Sequence, residues 1–449
     1  MPVGPFDRRK KRSRCLACAA SHLKKPNQIR IDHAEPDDKA VARVGCRPKS
    51  LSPLVVKPSD DQIYHLSHYF DIFLRCNNFN PKTEVLSDVL SLMKDQSSGT
   101  FLHDAVLSLG AMQATKLNSS EGIDSSKTYN LAVYHYSKSV MGLRHALEKF
   151  DQVPSARHRI LWTTHLLGLF ELMSDSTGQG WIQHLVHGTS KALVAAGPTA
   201  CQSGRGRRFF TEIRIFEVCR AIIFNAPTFL ATSDWRNLTD EMLTKDRDGA
   251  HSLDELLDII VSCSSLRVRA SRLIYSSEEN SPGHPQKRLD DACDIAQDGF
   301  CFRQVLIDWE TKETFSDDLT REKCNSVSDS FSLLARAFFS ATSIYLSGVF
   351  DYEIPYWQEM GIVAPNLSEE EIQMHVITIL TCTSTILHSS SISPLLVLFP
   401  LRVAGARSWQ NWQQECIMQY LSTIERTFPV ASAFKADLKR IWAQRSPAG

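Results

Sequence analysis

The sequence predicts an all-α protein, and three observations carry that reading. From about residue 60 onward apolar residues recur at spacings of three and four, the period of an amphipathic helix. No stretch of strict apolar–polar alternation persists long enough to argue for a sheet. Two capping boxes, Ser252 with Glu255 and Ser368 with Glu371, announce helix starts, because hydroxyl and carboxylate each satisfy a backbone N–H that has no partner within the helix.

The elements follow in chain order. Helices are expected at Asp61 to Asn78 and Phe101 to Leu117. Between Tyr129 and Phe150, residues Val133, Tyr136, Val140, Leu143, Leu147 and Phe150 form one continuous apolar stripe, which should face a core or another helix. Ser155 to Met173, Gly180 to Ala196 and Arg207 to Phe224 carry the same period. Gly197-Pro198 should stop the second of these, since Gly tolerates a left-handed cap and Pro cannot continue a helix. The Ser252 box opens a helix through Leu256, Ile260 and Cys263, followed by Leu289 to Trp309 and Ser326 to Ser347. The Ser368 box opens one through Ile372, Val376 and Ile379, and Trp409 to Phe428 is a final amphipathic helix. Loops fall where Gly, Pro and Ser gather, at Gly197 to Gly206 and Ser276 to Gln286. No fixed-period repeat supports a regular solenoid. Ala19 to Pro58 lacks periodicity and is read as poorly ordered. The expected organisation is a basic, largely disordered segment over 1–59 and a large helical domain over 60–449.

Composition bounds the class. With 449 residues, 43% hydrophobic and 22% charged, the chain sits near globular averages, which excludes collagen-like, disulfide-scaffold and wholly disordered proteins. The balance of 50 basic against 50 acidic residues hides an asymmetry. Residues 1–50 hold 13 Lys and Arg against 5 Asp and Glu, leaving 37 against 45 for the rest. A head of +8 before a body of −8 suggests a segment that meets nucleic acid or another anionic surface, with a solvated tail as the alternative.

The N-terminus carries charge without the apolar run of a secretory signal. The apolar stretch Leu395 to Ala406 is interrupted by Pro400 and Arg402 and falls short of the ~20 residues a spanning helix needs. The chain is therefore expected to be soluble and intracellular, with no membrane partner. Ten of the 12 cysteines are scattered singly, which suits buried thiols in a reducing compartment.

The exceptions are Cys15 and Cys18, directly after Arg8, Arg9, Lys10, Lys11, Arg12 and Arg14. Such a basic run serves as a nuclear import signal or a phosphate-binding strip. Two thiolates at C-x2-C spacing can share one zinc ion, but structural zinc takes four ligands. A basic run leading into this pair resembles the start of the fungal zinc binuclear-cluster transcription factors. Their pattern is C-x2-C-x6-C, a loop, then C-x2-C and a last Cys. In that family six thiolates share two zinc ions and a basic helix between the second and third cysteine reads DNA. Here the third cysteine's place holds Lys25, and the next cysteine is Cys46. The cluster is incomplete, so zinc as a cofactor rests on Cys15 and Cys18 alone; a mononuclear site adding Cys46 and either His22 or His33 is chemically allowed but matches no common finger.

The body extends the resemblance over roughly residues 60 to 445. Leu166 to Met173, with Glu171 near its end, is followed by a short polar turn and then Trp181, His184, Gly188, Leu193 and Gly197-Pro198. This order is similar to the helical regulatory domain found C-terminal to the cluster in many of these factors. Arg207 to Phe210 with Arg214 and Trp235, and Phe399 to Gly405, look like further marks of it. Trp181 and His184 at i, i+3 should share a helix face and bond a backbone carbonyl; His184 with His187 as metal ligands is the weaker reading.

The resemblance implies a nuclear transcriptional regulator of a fungal gene set, often a secondary-metabolite cluster. DNA, other transcription regulators and self-association are the implied partners. A co-regulator without its own DNA reading, importing through the basic run, is the alternative; a small-molecule-binding helical protein is a third. The sequence holds no G-x-S-x-G, G-x4-G-K-[ST] or H-E-x2-H pattern, and the expectation is of a non-enzyme.

Overall fold

The computed structural model describes residues 60–445 apart from the segments 81–83, 95–99, 119–124, 149–155, 246–251, 276–283 and 313–326. The N-terminal half runs through α1 (Asp60–Cys76), α2 (Val85–Met93), α3 (Phe101–Asn118), α4 (Ser125–Leu147) and α5 (Arg157–Ser174). A short α6 (Gln179–Ile182) then passes into a π-helical stretch, Gln183–Ser190, and out again as α7 (Lys191–Ala196). Next come α8 (Gly204–Phe224), α9 (Ser233–Lys245) and α10 (Ser252–Tyr275). The C-terminal half comprises α11 (His284–Lys312), α12 (Val327–Asp351), α13 (Ile354–Glu359), α14 (Glu369–Ser389), α15 (Leu398–Arg407), α16 (Asn411–Glu425) and α17 (Ala431–Arg445).

The protein is all-α, with no strand among the described residues; the only extended pairing there is an isolated bridge between Asn78 and Ile392. The Asn78 N–H donates to the Ser391 carbonyl at 2.8 Å, and the Ser393 N–H donates back to the Asn78 carbonyl at 2.9 Å. This exchange ties the end of α1 to the stretch leading into α15. In the N-terminal half α3 packs against α1, α4 and α5, while α5 is buried along almost its whole length. In the C-terminal half α12 lies among α10, α11, α14 and α15. Helix α8 meets both α10 and α15, so one hydrophobic core runs through both halves.

The Ser368 box forms as expected: the Ser368 hydroxyl accepts from the Glu371 N–H at 3.2 Å, and the Glu371 carboxylate accepts from the Ser368 N–H at 2.6 Å. Gly197 takes a φ of 78° at the end of α7, and Pro198 opens the next turn. Helices α2, α9, α13, α15 and α17 were not expected from the sequence. Helix α15 contains Pro400, but at its third position, where the missing N–H removes no intrahelical bond. The stretch Ser330–Asp351 is the one among the described residues long and apolar enough to cross a bilayer; 83% of its most apolar 18-residue window is buried inside the fold, as befits a central core helix.

The stripe on α4 needs correcting. The buried residues there are Ala132, His135, Ser139 and Leu143, whereas Val133 and Leu147 are 38% and 41% exposed. The reason lies in α3. Its buried Asp104 accepts from His135 Nδ1 at 2.9 Å, and the Phe101 carbonyl accepts from the Ser139 hydroxyl at 2.7 Å. Asp104 also accepts from Lys138 and Thr100, so His135 joins a buried polar network already anchored on α3, and Ser139 adds a second bond across the same contact. The inward face of α4 is therefore mixed, Ala132 and Leu143 with His135 and Ser139, while Tyr136 and Val140 of the stripe pack against the core from its flank and Phe150 lies outside the described residues.

Candidate functional site

The residues expected to contact DNA or direct import, Arg8, Arg9, Lys10, Lys11, Arg12 and Arg14, and the thiols Cys15 and Cys18, lie outside the described residues, as does Ala19 to Pro58. Among the described residues no group of three or more His, Cys, Asp or Glu side chains is placed to hold a metal ion. The site that does form belongs to the helical body, around Trp181 and His184.

Three elements build it. The Tyr136 ring, on the flank of α4, stacks on Phe170 of α5 with centroids 4.6 Å apart. Its hydroxyl reaches two partners, Glu171 Oε1 on α5 and, at 3.0 Å, His184 Nε2 on the π-helical stretch. A phenol has one proton, and Tyr136 donates it to the carboxylate. His184 must then donate its Nε2–H to the phenol oxygen, which fixes the tautomer. The expected backbone carbonyl partner of His184 is thus replaced by a phenol. Trp181 and His184 do share a face: a Cβ placed on Gly168 of α5 would lie 3.5 Å from an atom of each.

The surroundings explain the geometry. The Asp175 carboxylate accepts from the N–H groups of Thr177 and Gly180, at 2.8 and 3.3 Å, and so shapes the polar turn into α6. Gly180 leaves space for Glu171, whose Oε2 would sit 2.2 Å from any Cβ at that position. The π-helical stretch is pinned at its far end, where Thr189 donates to the Thr164 hydroxyl at 2.9 Å and Ser190 donates to Glu217 at 3.1 Å. Glu217 in turn accepts from Arg220 and from Thr228. A π-helix is rare and is frequently found at functional sites; local sequence does not distinguish it from an α-helix, which is why Gly180 to Ala196 reads as one regular element.

Electrostatically the cluster is held neutral at its imidazole. Burial pushes His184 down to about 4. Burial also raises the Glu171 carboxyl above the ordinary range, opposed by the Tyr136 hydrogen bond and aided by nearby Asp175. The phenol is raised by burial first and by Glu171 second. All three groups are engaged with each other. The arrangement clamps α4, α5 and the π-helical stretch together.

The other sequence marks are framework. Arg208 forms a two-point bond to Asp88 of α2, at 2.7 and 2.5 Å. Arg214 of α8 bonds Asp258 of α10 at 2.5 Å. Trp235 stacks on Phe210 with centroids 5.4 Å apart. In the Phe399 to Gly405 segment, Arg402 pairs with Asp437 at 2.6 Å and the Gly405 carbonyl accepts from Trp442 at 2.9 Å. Tyr136 was visible in the sequence only as one member of an apolar stripe; nothing in its spacing links it to Glu171 or His184, which lie 35 and 48 residues away. Compared with known proteins, residues 64–449 match the family described as the fungal specific transcription factor domain. No curated protein and no solved structure matches the chain.

Proposed function

The chain belongs to the family of the fungal specific transcription factor domain, and on that premise we propose that it controls a fungal gene set, such as a secondary-metabolite cluster, from the nucleus through its helical body. The observation that carries this is the extent of the match, which spans the helical body from α1 to the end of the chain. In this reading the body binds other transcription regulators or a second copy of itself. The run Arg8 to Arg14 supplies import and non-specific phosphate contact.

The absent cluster ligands favour a particular version, a regulator or co-regulator that does not itself read base sequence. Cys15 and Cys18 stand at family positions, but Lys25 occupies the place of the third cysteine. Two thiolates fall short of the four ligands of a structural zinc site, so no DNA-reading step is assigned to a metal. The test is DNA binding by the full chain, with and without zinc, across a salt series. The expected result is weak binding that falls steeply with salt, shows no preference between DNA sequences and is unchanged by zinc. Zinc-dependent, sequence-selective binding would overturn the non-reading version and support direct DNA reading.

A further inference from the structure

Helix α11 packs its inner face on α10 and α12 through Ala292, Ile295, Leu306 and Trp309. Its outer face has no neighbour among the described residues, and the side chains along it have an unusual order. Gln297 is exposed at the centre. Four residues before it stands Cys293 and four after it Cys301, both exposed free thiols. Seven before it is Asp290 and seven after it Gln304; eleven before it is Gln286 and eleven after it Asp308, all exposed. At about 100° per residue these positions lie within roughly 40° of one line along the helix, a stripe about 33 Å long.

The stripe is self-complementary under a two-fold axis through Gln297. Turned end to end, it places Cys opposite Cys and Gln opposite Gln. At both ends it places an amide opposite a carboxylate. Within one chain Gln286 already donates to Asp290 at 2.9 Å and Gln304 to Asp308 at 2.8 Å. Each amide keeps a second N–H and each carboxylate further acceptor positions, so two such pairs can close a ring across the axis. Exposed Phe300, Val305 and Ile307, at 45%, 42% and 43%, flank the stripe and add apolar area. An isologous contact requires this kind of pairing, with one patch matching its own reverse.

We propose that α11 is a homodimer interface, in which two copies pair antiparallel about Gln297 and Cys293 faces the partner's Cys301. This deepens the self-association element of the proposed function and rests on that reading only for its biological role. One helix pair buries an area at the low end for a specific interface, so the dimer forms at micromolar concentration or above.

The cysteines provide the test. Along one helix Cys293 and Cys301 are about 12 Å apart, beyond the ~7 Å Cα separation a disulfide can bridge. A Cys293–Cys301 disulfide can therefore form only between copies. The full chain is oxidised with diamide, which takes up two electrons and two protons as two thiols join, and the bridges are mapped by mass spectrometry. The expected product is a covalent dimer linked 293 to 301. Cys293→Ser and Cys301→Ser alone should each lose it, and an equal mixture of the two should restore it. Gln297→Arg, an exposed change that sets two cations face to face, should weaken dimerisation at least tenfold by light scattering with an unchanged helix content by circular dichroism. A chain that stays monomeric at 100-fold higher concentration, or a dimer that forms no 293–301 link and ignores Gln297→Arg, would overturn the interface. Neither result touches the DNA-binding outcome above, so the two readings fail separately.

Discussion

At the scale of single residues the Tyr136 hydroxyl has the largest share of the site. It bonds both His184 Nε2 and Glu171 Oε1. Tyr136→Phe keeps the stack on Phe170 but strands two half-buried polar groups, and losing such partners costs about 1–3 kcal/mol. Urea denaturation should show that loss, while Phe170→Leu should cost through packing alone. Acid sensitivity follows from the histidines. Burial pushes His184 and His375 down to about 4 and His165 down to about 3. Each is neutral when folded and protonated when unfolded at pH values between its folded pKa and about 6.5, so the unfolded state binds more protons there. Stability is therefore full above pH 6.5 and falls as the pH drops toward 4. The raised Glu171 acts in the opposite direction at that site. His184→Gln, which retains an N–H donor to Tyr136, should give a shallower decline in melting temperature between pH 6.5 and 4.5 than the unmodified chain.

At the scale of elements, periodicity located the longer helices, missed five shorter ones and said little about orientation. The predicted helix at Phe101 to Leu117 is α3, Phe101–Asn118, since the pattern and the apolar composition agree. The rotation of α4 was not legible, because its inward His135 and Ser139 find their partners, Asp104 and the Phe101 carbonyl, on a different helix. The crossing of α1 and α3 was hidden for the same reason. Gly110 on α3 lies against α1 so closely that a Cβ would sit 2.1 Å from the Leu66 carbonyl oxygen. A backbone oxygen in a helix cannot retreat as a side-chain tip can. Gly110→Ala should therefore cost about 3 kcal/mol, the upper end for overpacking, with loss of cooperative thermal unfolding as the readout. A glycine inside an apolar helix shows no sign in the sequence of which helix it admits.

Across the whole molecule, the division of charge is the property that links sequence to partner. The +8 segment carries six cations within Arg8 to Arg14, and each phosphate neutralised steepens the dependence of log K on log salt by about 0.9 for duplex DNA. Replacing Arg8, Arg9 and Lys10 by Gln should flatten that slope by up to about three phosphates while leaving the helical body's melting temperature unchanged. The sequence by itself determined the all-α class, the Ser368 helix start, the charge asymmetry and the family resemblance, because these depend on local spacing, capping chemistry and composition. Tertiary structure alone decided that His184 bonds a phenol, that Gly180 to Ala196 contains a π-helical stretch, that α4 turns His135 and Ser139 inward and that no described residue covers the outer face of α11. Each of those depends on which groups from distant positions must share buried hydrogen bonds and close contacts, and a spacing rule within one helix carries no information about its neighbours.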